Sequence, residues 1–309
     1  MHPPACERLK RKRMFMAAEL MKCLRFSLLS FVFLSFGILA VRAETPIERG
    51  RYLVNGIVAC GNCHTPKDSD GKAIADRELA GGPVFNAPIF HAVTPNITPD
   101  TETGIGNWTD DQIVNAIRNG KRPDGTTIGP PMPIAYYRNM SDSDVRAIVA
   151  YLRTVKPVKN KTEKSSYKIP LPTQYGPTVA SIPEVPRTNK VAYGQYLATA
   201  LGHCMDCHTP RVNDRSDMSR LGAGDREFET PSGGLITSAN LTPANDVGIA
   251  HWTDAEVKQA ITHGVRPGRS LVPVMAFEWY KNMSGDDLDA LVTYLRTLKP
   301  AVPAGDSSH

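Results

Sequence analysis

Cysteine is scarce in this chain, and its few positions leave no framework of disulfides. There are six cysteines among 309 residues. Cys6 and Cys23 lie near the N-terminus, and the other four fall in two short clusters. Because the later cysteines are confined to these clusters, none is left over to staple the fold, even in an oxidising compartment.

The chain also lacks an apolar run long enough to cross a bilayer. The longest run, Phe26 to Val41, has 16 residues, whereas a membrane-spanning helix needs about 20. Basic residues precede the run, and Val41-Arg42-Ala43 places small residues at positions −3 and −1 of a cleavage site. We therefore expect residues 1–43 to be a cleaved export signal and the mature chain to start near Glu44.

The chain after residue 43 carries no excess of positive charge. The formal charge is +5, but residues 1–43 carry eight Lys or Arg against two Glu, which leaves −1 for the remainder. A near-neutral body argues against nucleic acid as a partner. With 41% hydrophobic and 22% charged residues, the composition is typical of a soluble globular protein.

What the chain does contain is one pentapeptide pattern, twice. Cys60-Gly61-Asn62-Cys63-His64 recurs 144 residues later as Cys204-Met205-Asp206-Cys207-His208. Cys-x-x-Cys-His is the attachment signal of a c-type haem, because two thiols three positions apart on a tight turn can reach both vinyl groups of one porphyrin. The adjacent His is then placed to bind the iron. The sequence predicts two covalent haem groups, attached through Cys60, Cys63, Cys204 and Cys207, with His64 and His208 as iron ligands.

Two other interpretations of a Cys-x-x-Cys pair fit the chain less well. A zinc half-site would leave the methionines that recur downstream of each pair unexplained. A thioredoxin-like redox pair needs a βαβ context, and the sequence shows no such pattern. The export signal, the adjacent His and the two copies together favour haem.

The two pentapeptides belong to a long internal repeat. Blocks up to Pro123 match their copies at an offset of 144 and, after one residue is lost, later blocks match at 143. A unit of about 115 residues is a duplicated domain rather than a short solenoid repeat. We expect one domain over residues 44–157 and a second over residues 188–302. Residues 158–187, rich in Pro, Lys, Ser and Thr, form the linker, and residues 303–309 form a polar tail.

Both repeats carry helix signals. The capping boxes Thr109-x-x-Gln112 and Thr253-x-x-Glu256 predict a middle helix. Ser141 and Ser284 are predicted N-caps of a last helix whose apolar residues recur at i, i+3, i+4 and i+7. No period-2 pattern of useful length occurs. The predicted fold class is therefore all-α, with two tandem domains joined by a Pro-rich linker.

A haem iron bound by one His needs a ligand on its other face. Two methionines recur in register in each repeat, Met132 with Met275 and Met140 with Met283. Met132 and Met275 lie in Pro-rich loops, and stiff prolines would fix the loop that carries the sulfur to the iron. Met140 and Met283 directly precede the N-cap serines, where a hydrophobic staple packs on its own helix. We expect Met132 and Met275 to be the sixth ligands, since His/Met ligation suits electron transfer.

Four further residues recur in register, and two interpretations of them remain open. They could line the haem pockets, with an indole N–H or a guanidinium bonded to a propionate, or they could have ordinary core and surface roles. These candidate pocket residues are Trp108, Arg122, Trp252 and Arg266. The remaining histidines have no His counterpart in the other repeat, so bis-histidine ligation is not expected.

On these motifs the chain resembles the class I c-type cytochromes. It is similar to the multi-haem cytochrome c subunits of exported bacterial dehydrogenases that act on alcohols, gluconate-type sugars, aldehydes and N-heterocycles. The resemblance covers residues 46–300 and rests on Asn96-Ile97-Thr98-Pro99-Asp100, the block 104–109 and the block 119–125. It implies that each repeat is a class I cytochrome c domain. Many such subunits carry three haems and a C-terminal membrane helix, so two attachment motifs make a free shuttle an alternative to a bound subunit.

These observations predict an electron carrier without catalytic activity of its own. We expect a periplasmic dihaem cytochrome c, soluble or peripheral at the membrane. It would pass single electrons from a dehydrogenase-type donor to a respiratory acceptor such as an oxidase or another cytochrome. An iron held by two protein ligands suits transfer rather than catalysis. The alternative is a dihaem enzyme, a peroxidase or a sulfur-compound oxidoreductase, in which one haem opens a coordination site.

Overall fold

The computed structural model describes residues 43–213, 215–230 and 233–302. The predicted export signal and the predicted tail at 303–309 lie outside these residues, apart from Ala43. The described residues from Glu44 onward form one compact unit. None of its described helices combines the length and the apolar character that crossing a membrane requires.

The first repeat is built from short helices and one hairpin. Its helices and strands, in chain order, are α1 Pro46–Asn55, α2 Cys60–His64, β1 Val84–Ala87, β2 Phe90–Val93, α3 Asp110–Asn119, α4 Ile134–Tyr137 and α5 Asp142–Leu152.

The second repeat follows the same order after a connecting segment that contains β3, Ser166–Tyr167. Its helices are α6 Lys190–Tyr196, which continues as a π-helical turn Leu197–Leu201, then α7 Cys204–Cys207, α8 Asp254–His263, α9 Phe277–Tyr280 and α10 Gly285–Thr297. Its strands are β4 Arg211–Val212, β5 Arg215–Ser216, β6 Glu227–Glu229, β7 Leu235–Thr237, β8 Val265–Arg266 and β9 Arg269–Ser270.

The all-α prediction is wrong. Helices account for 35% of the structure, and the strands pair into several small antiparallel sheets. The largest has the order β1-β2-β3, with Val84 opposite Val93 and Phe90 opposite Tyr167. These strands have two to four residues each, which is too short to give a visible period-2 pattern.

The helix starts follow the predicted caps. The Thr109 and Thr253 hydroxyls each accept a hydrogen bond from the N3 backbone N–H, and both capping boxes are complete. The hydroxyls of Ser141 and Ser284 also accept the N3 backbone N–H of α5 and α10, without a complete capping box. In each half the first helix crosses the last one at a glycine, because a Cβ on Gly50 or Gly194 would overlap the carbonyl oxygen of Ala147 or Ala290.

The segment 158–187 packs along the first repeat. Val158 and Asn160 bond to the loop around Thr98, and β3 extends the β1-β2 hairpin. Farther along, the Tyr175 hydroxyl donates to Ile128 O at 2.8 Å, and the Ser181 hydroxyl donates to Asp142 Oδ2 at 2.6 Å. The predicted linker is therefore a strap that covers one repeat along much of its length.

The two repeats share one apolar core and a buried polar seam. The Tyr196 hydroxyl donates to Asp144 in α5, and the Tyr52 hydroxyl donates to Asp287 in α10. Arg49 forms a buried 2.8 Å ion pair with Asp144. Each repeat thus supplies a phenol to the start of the other repeat's last helix.

Candidate functional site

The predicted attachment cysteines lie on two very short helices. In α2 and α7 the thiols are three positions apart, so they project from the same face. A residue in the left-handed region precedes each helix, Ala59 at φ 51° and His203 at φ 41°. None of the thiols of Cys60, Cys63, Cys204 and Cys207 is part of a disulfide.

The thiols do not have the character of a redox pair. Burial raises the pKa of Cys60 and of Cys204 to about 12, and it raises that of Cys207 to about 11. A thioredoxin-like pair requires a lowered thiol pKa. The electrostatics therefore agree with the sequence argument against that interpretation.

Both predicted histidine ligands are buried and oriented by a backbone carbonyl. His64 Nδ1 lies 2.9 Å from Pro95 O, and His208 Nδ1 lies 2.7 Å from Ala239 O. Since a carbonyl can only accept, Nδ1 must carry the proton, which leaves the Nε2 lone pair for a metal. Burial also lowers the pKa of both imidazoles. Each His is thus held as the neutral tautomer whose Nε2 could bind a metal.

A motif whose role the sequence analysis missed holds these carbonyls in place. Asn96 Oδ1 accepts from the N–H and the hydroxyl of Thr98, at 2.9 and 2.8 Å, and Asn96 Nδ2 donates to Val158 O at 2.7 Å. Asn240 and Thr242 repeat this arrangement with Ala301 O. The Asn-x-Thr-Pro blocks therefore fix the residue before them, which is the one that orients the histidine. The recurrence of these blocks at matching positions in the two repeats was the sequence signal that could have revealed this role.

A glycine permits the chain to approach each histidine. The Gly81 N–H donates to His64 O at 2.7 Å. Gly81 has φ +74°, and an added Cβ would lie 2.5 Å from Pro95 C. Gly224 has the same role beside His208, with φ +75° and its N–H 2.8 Å from His208 O. A side chain at either position would push apart the turn that presents the imidazole.

The four in-register methionines occupy two different environments. Met140 and Met283 are 0% and 6% exposed and lie in the shared core. Met132 and Met275 are only half-buried, in the loops that lead into α4 and α9. The structure places the second pair where a thioether retains free surface. This arrangement agrees with the predicted ligand choice, which stays a prediction.

The predicted pocket residues differ between the halves. Arg266 stacks over the Trp252 ring at 5.2 Å, and its buried Nε has no hydrogen-bond partner. Arg122, its counterpart, donates to Thr127 O at 3.0 Å. The backbone oxygen of Trp108 accepts from Arg153, just as the oxygen of Trp252 accepts from Arg296.

These donor sets fit a covalent haem. Each half offers two thiols, one imidazole with a free Nε2 and one half-buried thioether. The unpartnered Nε of Arg266 is a donor that a propionate carboxylate would satisfy. Among the described residues, no group of three or more His, Cys, Asp or Glu side chains is placed to hold a metal ion by itself.

Comparison with known proteins identifies the family. Residues 47–156 match the family described as Cytochrome c. Over 282 residues the chain is 33% identical to the cytochrome c subunit of alcohol dehydrogenase (quinone) from Gluconobacter oxydans (strain 621H), covering 85% of this chain and 56% of that protein. The gluconate 2-dehydrogenase cytochrome c subunit of Pantoea cypripedii is 30% identical over 269 residues, covering 82% of this chain and 59% of that protein.

A shorter relative matches over most of its length. A protein named diheme cytochrome c-type, from Cereibacter sphaeroides, is 29% identical over 257 residues, covering 79% of this chain and 82% of that protein. The chain therefore spans little more than half the length of the dehydrogenase subunits and most of the length of the diheme relative.

Proposed function

Since the chain belongs to the cytochrome c family, we propose that it binds two covalent haem c groups and carries single electrons between redox proteins. The family implies covalent haem c. The observation that supports a second haem is the recurrence of the complete donor set, because each half has its own Cys pair, carbonyl-oriented His and half-buried Met. A haem iron held by His and Met stores one electron without a change of ligands.

The chain's own residues would hold and shield each group. Cys60, Cys63 and His64 would fix one haem at α2, and Met132 would bind from the opposite loop. Cys204, Cys207, His208 and Met275 would do the same in the second half. The shared apolar core packs against both sites and would shield one side of each bound group from water.

A dehydrogenase-type donor is supported by the relatives' names. Several of them are cytochrome c subunits of dehydrogenases for alcohol, gluconate or fructose. An oxidase or another cytochrome would be the acceptor. The predicted export signal supports a periplasmic location, either soluble or peripheral at the membrane.

One observation favours the enzyme alternative for the second half. The Met132 loop is covered by the strap, since the Tyr167 hydroxyl donates to Pro130 O at 3.0 Å. The Met275 loop carries Val272 and Val274, each 39% exposed. A less supported loop would let Met275 leave the iron more easily. Carbon monoxide binding to the reduced protein, together with peroxide turnover, would support this function.

Haem counting tests the proposal. The full chain is produced with the haem-attachment machinery, and the attached mass and the reduced-minus-oxidised spectrum are measured. We expect two haems on the wild-type chain. Cys60→Ala with Cys63→Ala should remove one haem, and Cys204→Ala with Cys207→Ala should remove the other. One haem or none on the wild-type chain would reject the proposal.

The partner is tested separately. Native protein is crosslinked in periplasmic and detergent-solubilised membrane fractions, and the captured proteins are identified by mass spectrometry. A dehydrogenase that reduces the purified cytochrome supports the proposed donor. Rapid reduction by an unrelated class of protein and none by the dehydrogenase rejects it.

A further inference from the structure

The short helix that follows each Met loop contacts the other half. α9 follows Met275, yet its Trp279 ring lies against α2 of the first half. A Cβ added to Gly61 would be 2.7 Å from Trp279 Nε1 and 3.2 Å from Cε2. Lys67, just beyond α2, places its ammonium 5.9 Å from the centroid of the same ring. Trp279 therefore packs on the predicted attachment turn of a repeat to which it does not belong.

The reciprocal contact is made by α4. Tyr136 and Tyr137, which follow Met132, lie beside His203 at the start of α7. The His203 ring centroid is 6.5 Å from that of Tyr136 and 5.7 Å from that of Tyr137, the second at an interplanar angle of 70°. Tyr136 is the counterpart of Trp279 in the repeat. Each predicted attachment turn thus lies against at least one aromatic side chain of the opposite half.

Side-chain sizes at the two contacts are complementary. The first turn presents Ala59 and Gly61, and it receives the larger ring, Trp279. At the same two positions the second turn has His203 and Met205, and it receives the smaller ring, Tyr136. Close packing tolerates such exchanges when the total volume is kept. The small Gly61 contacts the large Trp279 ring, and the larger His203 contacts the smaller Tyr136 ring, so the two contacts are matched in size.

Tyr137 lies between the two turns, because its hydroxyl donates to Val58 O at 3.4 Å, just before the first turn, and its ring centroid is 5.7 Å from that of His203 beside the second. Burial raises the pKa of Tyr280, and the nearby Cys204 and Cys207 of its own half and Cys63 of the other half raise it further. Burial likewise raises the pKa of Tyr137, and the neighbouring Cys60, Cys63 and Tyr280 add to the effect. The two phenols thus lie within electrostatic range of thiols and of each other.

We propose that each half completes the other half's haem site, with Trp279 closing the turn at residues 60–64 and Tyr136 and Tyr137 closing the turn at residues 204–208. This inference rests on the proposed function, since it takes both turns to carry haem. These aromatics are positioning residues that set the packing and water exposure around a group attached in the opposite repeat. A substitution in one repeat should therefore change the haem of the other.

The test is Trp279→Ala in the full haem-loaded chain, with Phe277→Ala as the matched control. Phe277 lies on the same helix but packs within its own half, where a Cβ on Gly264 would be 2.7 Å from its ring. Redox titration and the hyperfine-shifted proton resonances of the oxidised protein report on each haem. Met132→Ala removes the proposed iron ligand of the first-half haem, so the signals that it changes can be assigned to that haem. Trp279→Ala should shift the potential and resonances of the first-half haem, and Phe277→Ala should shift those of the second-half haem alone.

A conservative variant and a double-mutant cycle keep the test decisive. Trp279→Phe retains an apolar ring, so it covers the case in which Trp279→Ala does not fold. Gly61→Ala places a methyl group against the same ring, and its effect should be non-additive with that of Trp279→Phe. Changes confined to the second-half haem in the Trp279 variants would overturn the proposal. Haem counting on the wild type separates the two claims, because fewer than two haems rejects the proposed function, whereas two independent haems reject only the mutual closure.

Discussion

The phenol of Tyr196 donates a hydrogen bond of 2.7 Å to Asp144 Oδ2 in the opposite repeat. The same oxygen of Tyr196 accepts the backbone N–H of Ser141 at 3.0 Å. Ser141 is the N-cap of α5, and Asp144 is its N3 residue. The phenol therefore bridges the two groups that a capping box would join directly. Tyr52 has the same relationship with Ser284 and Asp287 at α10, at 3.1 and 2.8 Å.

Tyr196→Phe should destabilise the folded chain by about 1–3 kcal/mol, because it leaves a buried N–H and a buried carboxylate oxygen without this partner. Urea unfolding of the haem-loaded protein measures the loss. Tyr52→Phe is the matched variant, and its cost should be smaller because water can reach the exposed Ser284 N–H, whereas the Ser141 N–H is buried. An unchanged unfolding midpoint for Tyr196→Phe would contradict the assigned role.

Asp142 makes one attachment of the strap sensitive to acid. The hydroxyl of Ser181, the backbone N–H of Ile182 and the guanidinium of Arg118 lower the pKa of Asp142 to about 2. Because the folded pKa is depressed, its stabilisation is fully present above pH ~4, near the unfolded value, and is lost as pH falls toward about 2. The side chain is 41% exposed, so we expect no more than about 1 kcal/mol.

The comparison of wild type with Asp142→Asn isolates this effect. The difference between their unfolding free energies should be largest at neutral pH and should shrink between pH 4 and pH 2. Proteolysis of the segment 178–187 provides a second measure, since the variant should be cut faster than wild type at pH 7. A difference that stays constant with pH would show that the carboxylate charge contributes nothing.

Asn96→Ala should disturb the first haem site indirectly, although Asn96 is not one of the proposed haem-binding residues. Removal of the amide leaves the buried Thr98 N–H without its partner and takes from Val158 O the shorter of its two hydrogen bonds, at an expected cost of about 1–3 kcal/mol. It also releases Pro95, whose carbonyl orients His64. We expect altered resonances for the first-half haem and a lower unfolding midpoint. Asn107→Ala is the control, because Asn107 lies in the same loop region and is exposed. Equal effects of the two substitutions would count against the anchoring role.

Tyr167→Ala should make Met132 easier to displace. Its ring packs on Gly129, where an added Cβ would be 2.5 Å from Cζ, and its hydroxyl holds Pro130 O. Loss of this cover should weaken the Met132–iron bond. Imidazole would then bind the first-half haem roughly three to ten times more tightly, the change in affinity that corresponds to the free energy of one hydrogen bond. A visible-absorption titration measures this, and Met132→Ala identifies the first-half phase. A shift in the second-half phase alone would rule out this role for the strap.

The sequence was sufficient for features that depend on local pattern. The two Cys-x-x-Cys-His motifs form short helices, Cys60–His64 and Cys204–Cys207, although their attachment role stays a prediction. The capping boxes at Thr109 and Thr253 are confirmed because they need only residues three apart. The strands were not predicted because segments of two to four residues are too short to show a period-2 pattern, and their pairing depends on the surrounding structure. β3, for example, pairs with β2 across more than 70 residues.

The contacts between the repeats were not predictable from the register of the repeat. That register suggests two self-sufficient units, whereas Trp279 and Tyr136 each pack on the opposite one. The relevant positions are also those at which the copies differ, such as Gly61 against Met205. Residues that match between the two repeats indicate the structure within each repeat. Residues that differ can be explained only when the surface of the other repeat that they contact is known.

The pairing of Arg49 with Tyr193 bears on the origin of the chain. These residues are counterparts in the repeat, and Arg49 Nη2 donates to the Tyr193 hydroxyl at 3.3 Å. In a dimer of two identical single repeats this position would face its own copy. Two arginines would repel each other, and two tyrosines would leave both Asp144 and Asp287 without a cation. Fusion of the repeats into one polypeptide allows the position to hold one of each, an arrangement that no symmetric ancestor could have had.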